Sequence, residues 1–420
     1  MTGEFSCASI VGVRSNAPEV KRNQVTMMKA QKCLWPNQPP QGCPFPQSPS
    51  YRGILLTGRY ANYENADTFY PSWASDGNLY CPWTDGFLGH DECHSYLRDG
   101  VTQTGQVKIV GDDPFRLQLV NLGHMEASPA PWEGRYPSGC LVYNNVWYHG
   151  SYCLTNVSGD PSDCGGVGWT RLGPFVGFRT CPDWNHYTVS WEDGYWSPCP
   201  HTGSAPLFRE NPAVAPVKIG APHFVDFGRN LEHSPDGKAY LIAHGSTRPE
   251  AWNSWIQGDE IYLLRVRPEE LNHFEAYEFY AGKAPDGADV WSRNFGEMKP
   301  LIKWDDNLGC VTMTYNPPLN KYFMCVTRGM KIARYNTMIL ESDSMTGPWK
   351  LVHYLRDFGP EAYFVNIPSK FISRDGERAV LWYSANFTDN PWGKEKTRAE
   401  DPAGSNYSLV VQEIQLLKGP

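Results

Sequence analysis

Three of the eleven histidines of this 420-residue chain, His223, His233 and His244, fall in one stretch from Ala221 to Ser246, APHFVDFGRNLEHSPDGKAYLIAHGS. Imidazole can both take and give a proton near neutral pH, so this cluster is the first place to look for acid–base chemistry. His223, Val225 and Phe227 alternate with Phe224 and Asp226, which is the period of a strand with unlike faces. Ser234-Pro235-Asp236-Gly237 reads as a turn and Ala239 to His244 as the returning strand. The hairpin predicts that His223 and His244 meet at one end while His233 stays near the turn at the other. A lone strand histidine is more often a hydrogen-bonded structural residue. The pairing across the hairpin makes these two candidates for catalysis.

Arg293 in VWSRNFG and Tyr315 in CVTMTYNPP end what read as strands of following units. Two histidines, a tyrosine and an arginine at one place would suit β-elimination from a uronic acid. The C5 proton of such a sugar is weakly acidic, so a cation must neutralise the carboxylate, a base must take the proton and an acid must protonate the departing oxygen. Arginine fits the first role through its planar fork, and tyrosine and histidine fit the other two. His223, His244, Tyr315 and Arg293 are therefore the expected catalytic set. Tyr148, His149, Arg179, Tyr363 and Lys370 are expected substrate-binding residues, with structural roles as the alternative for each.

Other chemistries find less support. No GxSxG elbow and no HExxH motif is present. His90 and His94 in GHDECHS have a helical metal-binding spacing, but Gly89, Asp91 and Cys93 around them read as a loop. The acidic pairs Asp112-Asp113 and Asp305-Asp306 read as turn formers, and a catalytic carboxylate pair drawn from separate units stays open.

The elements that must position these residues are strands. Aromatics make up 14% of residues, and 39 Gly with 35 Pro fit many short strands joined by tight turns. A strand–turn–strand plan recurs around Gly77, Asn144, Gly194, Gly237, Gly287, Pro317 and Gly376. Seven such centres with scarcely any helical periodicity predict an all-β fold, a seven-bladed β-propeller. A β-sandwich pair or a β-helix is the alternative. The segment LESDSMTGPWKLVHY, Leu340 to Tyr354, reads as one hairpin, and Pro268 to Gly282 is the best helical candidate. We expect residues 1–50, with the run WPNQPPQGCPFPQSP, to be an irregular segment packed on a single propeller domain of residues 51–420.

A net charge of −8 argues against nucleic-acid partners, and no apolar run approaches the roughly 20 residues that span a bilayer. The chain begins without a charged-then-apolar leader, so secretion implies a signal already removed. Twelve cysteines without a CxxC pair, and sequons at Asn156, Asn386 and Asn406, suggest a secreted protein with disulfides. Cys33 with Cys43 and Cys81 with Cys93 have separations that suit loop closure.

Several long segments resemble a known family. They are NADTFYPSWASDGNLYCPWTDG from Asn65, GQVKIVGDDP from Gly105, GPFVGFR from Gly173, PVKIGAPHFVDFGRNLEHSPDGKAYLIAHG from Pro216, NLGCVTMTYNPPLNKYFMCVT and EAYFVNIPSKFIS. Together they run from about Asn65 to Asn386 and resemble the secreted seven-bladed propellers that act on rhamnose α-1,4-linked to glucuronate, the cap of arabinogalactan proteins and gum arabic. These are the rhamnose-glucuronate lyases of polysaccharide lyase family 42 and the related α-L-rhamnosidases of glycoside hydrolase family 145. The resemblance implies a monomeric carbohydrate-active enzyme without a catalytic cofactor and with a structural calcium ion near the axis. Lyase members work with His, Tyr and Arg, whereas hydrolase members use one histidine near the N-terminus on the opposite face. Here the first ordered strand reads LLTGRYANY, with Tyr60 and no histidine before His90, so the lyase reading is favoured. Two alternatives stay open: an α-L-rhamnosidase on the same linkage, and a lectin-like propeller whose Trp73, Trp83 and Trp147 stack on sugars.

Overall fold

The computed structural model describes residues 28–95, 102–127, 134–155, 171–181, 217–248, 256–329, 335–358, 362–384 and 402–419. Among these the chain is built of strands, joined by short 3-10 turns. No helix of the described residues is long and apolar enough to cross a membrane.

Five antiparallel sheets of three or more strands follow one another in chain order. The first runs outward from Ser72–Trp73 through Leu79–Trp83 and Thr102–Val110 to Gln118–Ala127. The second comprises Gly134–Tyr143, Val146–Thr155 and Arg171–Cys181. The third begins at His223–Phe224 and continues through Ala239–Gly245, Gly258–Val266 and Glu278–Lys283 to Asp289–Ser292. The fourth holds Val311–Asn316, Lys321–Arg328, Asn336–Ser342 and Lys350–Leu355. The fifth takes Tyr363–Asn366, Arg378–Ser384 and Val410–Lys418, and its next strand, Tyr51–Asn62, comes from the other end of the chain.

The first strands of the sheets lie side by side around a ring. Cys140 donates its thiol to the Tyr70 carbonyl at 3.1 Å, and the Gly139 N–H donates to the Pro222 carbonyl at 2.8 Å. Asp226 bridges Thr314 in parallel, and the Thr312 hydroxyl donates to the Val365 carbonyl at 2.7 Å. The indole N–H of Trp382, on the second strand of the fifth sheet, donates to the Phe69 carbonyl just ahead of the first sheet at 2.9 Å. This is the plan of a β-propeller, and all five inner strands run in the same direction. They define an entry end, where each inner strand starts, and an exit end, where each turns back.

Five sheets of three or more strands, besides a two-stranded hairpin of Gly86–Leu88 with Asp91–Cys93, are found among the described residues, where seven units were expected. The expected turn centres explain the difference. Gly77, Asn144, Gly237, Pro317 and Gly376 each join the two innermost strands of a different sheet, whereas Gly287 joins the two outermost strands of the third sheet. Gly194 lies outside the described residues. The Asp-Gly turns share one local cause. Asp76, Asp236, Asp286 and Asp375 each accept, through Oδ1, the N–H two residues on, and the glycine between takes the positive φ that closes the turn.

Apolar side chains bury between adjacent sheets, as with Ile242, Leu263, Val311 and Met324, all fully buried. Burial of this kind contributes roughly 25 cal/mol per Å² and replaces the core that a lone sheet lacks. Leu340 to Tyr354 forms the expected hairpin. Pro268 to Gly282 does not form a helix: two 3-10 turns, Pro268–Glu270 and Phe274–Ala276, lead into a strand whose Phe279 pairs with Leu264. Residues 30–50 cross the outer edges of the fourth and fifth sheets through bridges of Cys33 to Leu56, Asn37 to Leu355 and Gln47 to Leu351.

The seven cysteines whose side chains are described are thiols, so the expected pairs 33–43 and 81–93 do not form here. Cys33 packs among the fifth-sheet residues while Cys43 packs against the third and fourth. Cys81 lies opposite Val107 in the first sheet, whereas Cys93 lies opposite Gly86 in a separate small hairpin.

Candidate functional site

The register puts His223 opposite Ile242, two residues from His244, so both histidines stand at the entry end as their hairpin predicts. Both are buried, at 2% and 0% exposure. The His223 ring meets Tyr70 edge-on at 4.2 Å, and its Nε2 is 3.6 Å from the Cys310 sulfur. Burial, with the neighbouring His244 adding to it, pushes the His223 pKa down to about 3. An imidazole so held is neutral at pH 7.

Tyr315 is at the exit end. It lies five residues beyond Cys310, which immediately precedes its strand, or roughly 16 Å along the chain. Its hydroxyl donates to Asn320 at 2.9 Å, and its nearest histidine is His233, at 5.9 Å between ring centres. Arg293 follows the outermost strand of the third sheet, four strand spacings or roughly 19 Å from His223. The structure thus brings His223 and His244 together and leaves Tyr315 and Arg293 apart from them.

The expected binding residues are likewise dispersed. Tyr148 and His149 are buried in the middle strand of the second sheet, with the Tyr148 hydroxyl pushed up to about 12 by burial. Arg179 pairs with His149 across that sheet, and Tyr363 starts the fifth sheet's inner strand; their side chains lie outside the described residues. Lys370 is at the exit end, its ammonium donating to the Gly77 carbonyl at 2.6 Å and standing 3.2 Å from Asp112. Trp83 and Trp147 are fully buried and offer sugars no open stacking face, whereas Trp73 is half-buried, its indole N–H donating to the Gly77 carbonyl.

His90 and His94 flank the strand Asp91–Cys93 of a small hairpin instead of facing from a helix. Among the described residues no group of three or more His, Cys, Asp or Glu could hold a metal ion. The entry end of the axis presents His223, Cys310 and Tyr70, whereas calcium asks for six to eight oxygens. The described residues therefore do not fit the calcium ion that the resemblance implies.

A different pair of residues stands out at the entry end. Asp67 and Thr84 form an antiparallel bridge at the margin of the first sheet, which brings the Asp67 backbone next to that of Asp85. Both aspartates are buried, at 2% and 4% exposure. The Tyr407 hydroxyl lies 2.8 Å from Asp67 Oδ2 and 2.6 Å from the Asp85 carbonyl, so one proton is shared between them. Asp85 accepts the Ser95 N–H at 2.7 Å and the Ser95 hydroxyl at 2.5 Å. Burial outweighs these bonds and raises its pKa to about 6. Asp259 is clasped in the same way by Thr247, but Arg248 stands 3.6 Å from that carboxylate, whereas no cation faces Asp85 among the described residues.

The backbone at this place is strained. Thr68 has φ 58° and Asp85 has φ 49°, in the left-handed region that a β-branched residue rarely enters. Strain of this sort, of order 1–3 kcal/mol per residue, concentrates at functional sites. Neither aspartate was singled out from the sequence, although both lie in the stretch Asn65 to Gly86. The available signal was the repeated Asp-Thr and Thr-Asp neighbours in NADTF and PWTDG.

Fold and site together define an all-β propeller with two buried aspartates at one end of its first sheet. No family model and no curated protein matches the chain. Solved structures that match include a protein from Bacteroides ovatus provisionally classed as a hydrolase, with 14% identity, 96% of this chain and 97% of that one covered, and a TM-score of 0.47. A GH43_1 enzyme from Xanthomonas citri matches with 12% identity, 84% and 89% coverage and a TM-score of 0.40. An exo-1,5-alpha-L-arabinanase from a bovine ruminal metagenomic library matches with 14% identity, 85% and 94% coverage and a TM-score of 0.41. At these values no residue role passes from them to this chain.

Proposed function

We propose that this protein is a secreted glycoside hydrolase acting on an acidic plant-type glycan, with Asp85 as general acid and Asp67 as its partner carboxylate. Two buried aspartates linked through the Tyr407 hydroxyl, one of them with its pKa raised to about 6, carry the reading. Carboxyl pairs whose environments set them apart divide acid and base work in this way. Protonated Asp85 gives its proton to the glycosidic oxygen as the bond to the anomeric carbon breaks. Asp67, oriented by the Tyr407 hydroxyl, takes a proton from the incoming water, so one water is added across the bond. The rhamnose-capped glucuronate implied by the sequence resemblance is the substrate to try first. Elimination is the less favoured chemistry because its base, acid and carboxylate clamp are not gathered at one place.

The test is to incubate the protein with a rhamnose-capped glucuronate saccharide and follow released rhamnose and ultraviolet absorbance together. Rhamnose without rising absorbance, lost in Asp67→Asn and Asp85→Asn, is expected. Rhamnose with rising absorbance would mean a conjugated unsaturated uronate and an elimination. Retention of the saccharide unchanged would mean a lectin-like protein.

A further inference from the structure

A second feature lies at the exit end of the third sheet, away from the aspartate pair. A cavity of about 390 Å³ is lined by Lys238, Arg267, Glu270, Ala276, Glu278 and Arg293. That volume falls in the range of roughly 300–1,000 Å³ typical of ligand pockets.

The charges on its walls sort into two groups. Lys238 pairs with Glu278, Arg265 donates to Glu278 at 2.7 Å, and Asp236 stands 3.3 Å from Arg265 and 3.7 Å from Lys238. Those two cations and two carboxylates cancel. Arg267 and Arg293 are both exposed, and among the described residues neither has an ion-pair partner. With Glu270 they leave the cavity one positive charge in excess.

Arg267 follows the strand Gly258–Val266, Arg293 follows Asp289–Ser292, and Glu278–Lys283 runs between them. The two guanidinium groups thus hang from strand ends roughly 10 Å apart, at the same end of the sheet. Guanidinium is suited to carboxylate by its flat paired donors. The spacing leaves room for a sugar ring beside the carboxylate that one arginine grips.

We propose that this cavity is an accessory site for a uronate sugar, gripped by Arg267 and Arg293 and separate from the hydrolytic centre. The choice of a sugar acid, and not any small anion, rests on the proposed function. The grip on a carboxylate does not.

Binding of D-glucuronate, acetate and D-glucose is measured by calorimetry on the whole protein, at low and at raised salt. Glucuronate is expected to bind with a Kd on the order of millimolar, more tightly than acetate, with glucose not binding. The double variant Arg267→Ala, Arg293→Ala weakens glucuronate about tenfold while keeping its melting temperature, because both side chains are exposed. Asp67→Asn, which removes the proposed activity, leaves this binding intact. The proposal is overturned if the double variant binds glucuronate as the wild type does, if acetate or glucose binds equally well, or if Asp67→Asn abolishes binding. Loss of hydrolysis in Asp67→Asn with binding kept would sustain both readings. Binding without any hydrolysis by the wild type would sink only the proposed function.

Discussion

The imidazole Nε2 of His223 stands 3.6 Å from the thiol sulfur of Cys310, across the junction between the third and fourth sheets. Both groups are buried, and burial pushes the thiol up while it pushes the imidazole down. Two titratable groups are thereby held neutral at the axis, where they fill space and fix the seam between sheets. The same seam constrains the next one: a Cβ at Gly139 would lie 2.7 Å from the His223 Cα.

Gly139→Ala is therefore expected to push the second and third inner strands apart. Overpacking at a backbone contact costs about 1–3 kcal/mol. Urea unfolding of the variant measures it, and a loss under about 0.5 kcal/mol would show that the ring gives way more easily than the close approach implies.

Replacing Asp85 should make the fold more sensitive to mild acidification. His223 and His353 are held down to about 3 and about 4 by burial, below their ordinary 6.5. The unfolded chain takes up these protons first, so their contribution is full above about pH 6.5 and is lost as pH falls toward 4 and 3. Asp85 acts oppositely: raised from 3.8 to about 6, it stabilises at low pH and loses that effect as pH rises through 6. Burial raises Asp226 as well, so two histidines oppose two aspartates in this range. Asp85→Asn should steepen the loss on acidification by about 1.4 kcal/mol per pH unit between about pH 4 and 6. An unchanged slope would mean that Asp85 is not raised.

Activity should show the mirror of that titration. If Asp85 donates the proton, kcat/KM falls as pH rises through about 6. A profile rising through this range would assign the proton to another group.

Single substitutions separate the two carboxylates from the residues first expected. Asp67→Asn and Asp85→Asn should each lower kcat by about 10²–10⁴. Arg293→Ala should leave kcat on a short saccharide within about threefold, since Arg293 lies in a different sheet from the aspartate pair. A collapse of kcat in Arg293→Ala would return the carboxylate clamp of an elimination to consideration.

Much of the local architecture was legible. The Asp-Gly turns, the strand Ala239–Gly245 and the meeting of His223 with His244 all follow from contacts within a few tens of residues. Alternation and turn chemistry act over that range, so a sequence displays them openly. The number of sheets was not legible, because the turn at Gly287 has the same chemistry as the one at Gly237 yet lies at the outer edge of the same sheet.

The site divides along the same line. Sequence alone determined that this is an all-β chain of hairpins with a histidine pair at one hairpin end. Only the tertiary structure decided that neighbouring sheets bury that pair and hold His223 neutral, that Tyr315 turns out at the opposite end, and that Arg293 stands at a sheet's rim. It also brought Tyr407 onto Asp67 from 340 residues away. Burial and long-range closure set these outcomes, since the cost of charging a group depends on every segment packed around it and not on its neighbours in the chain.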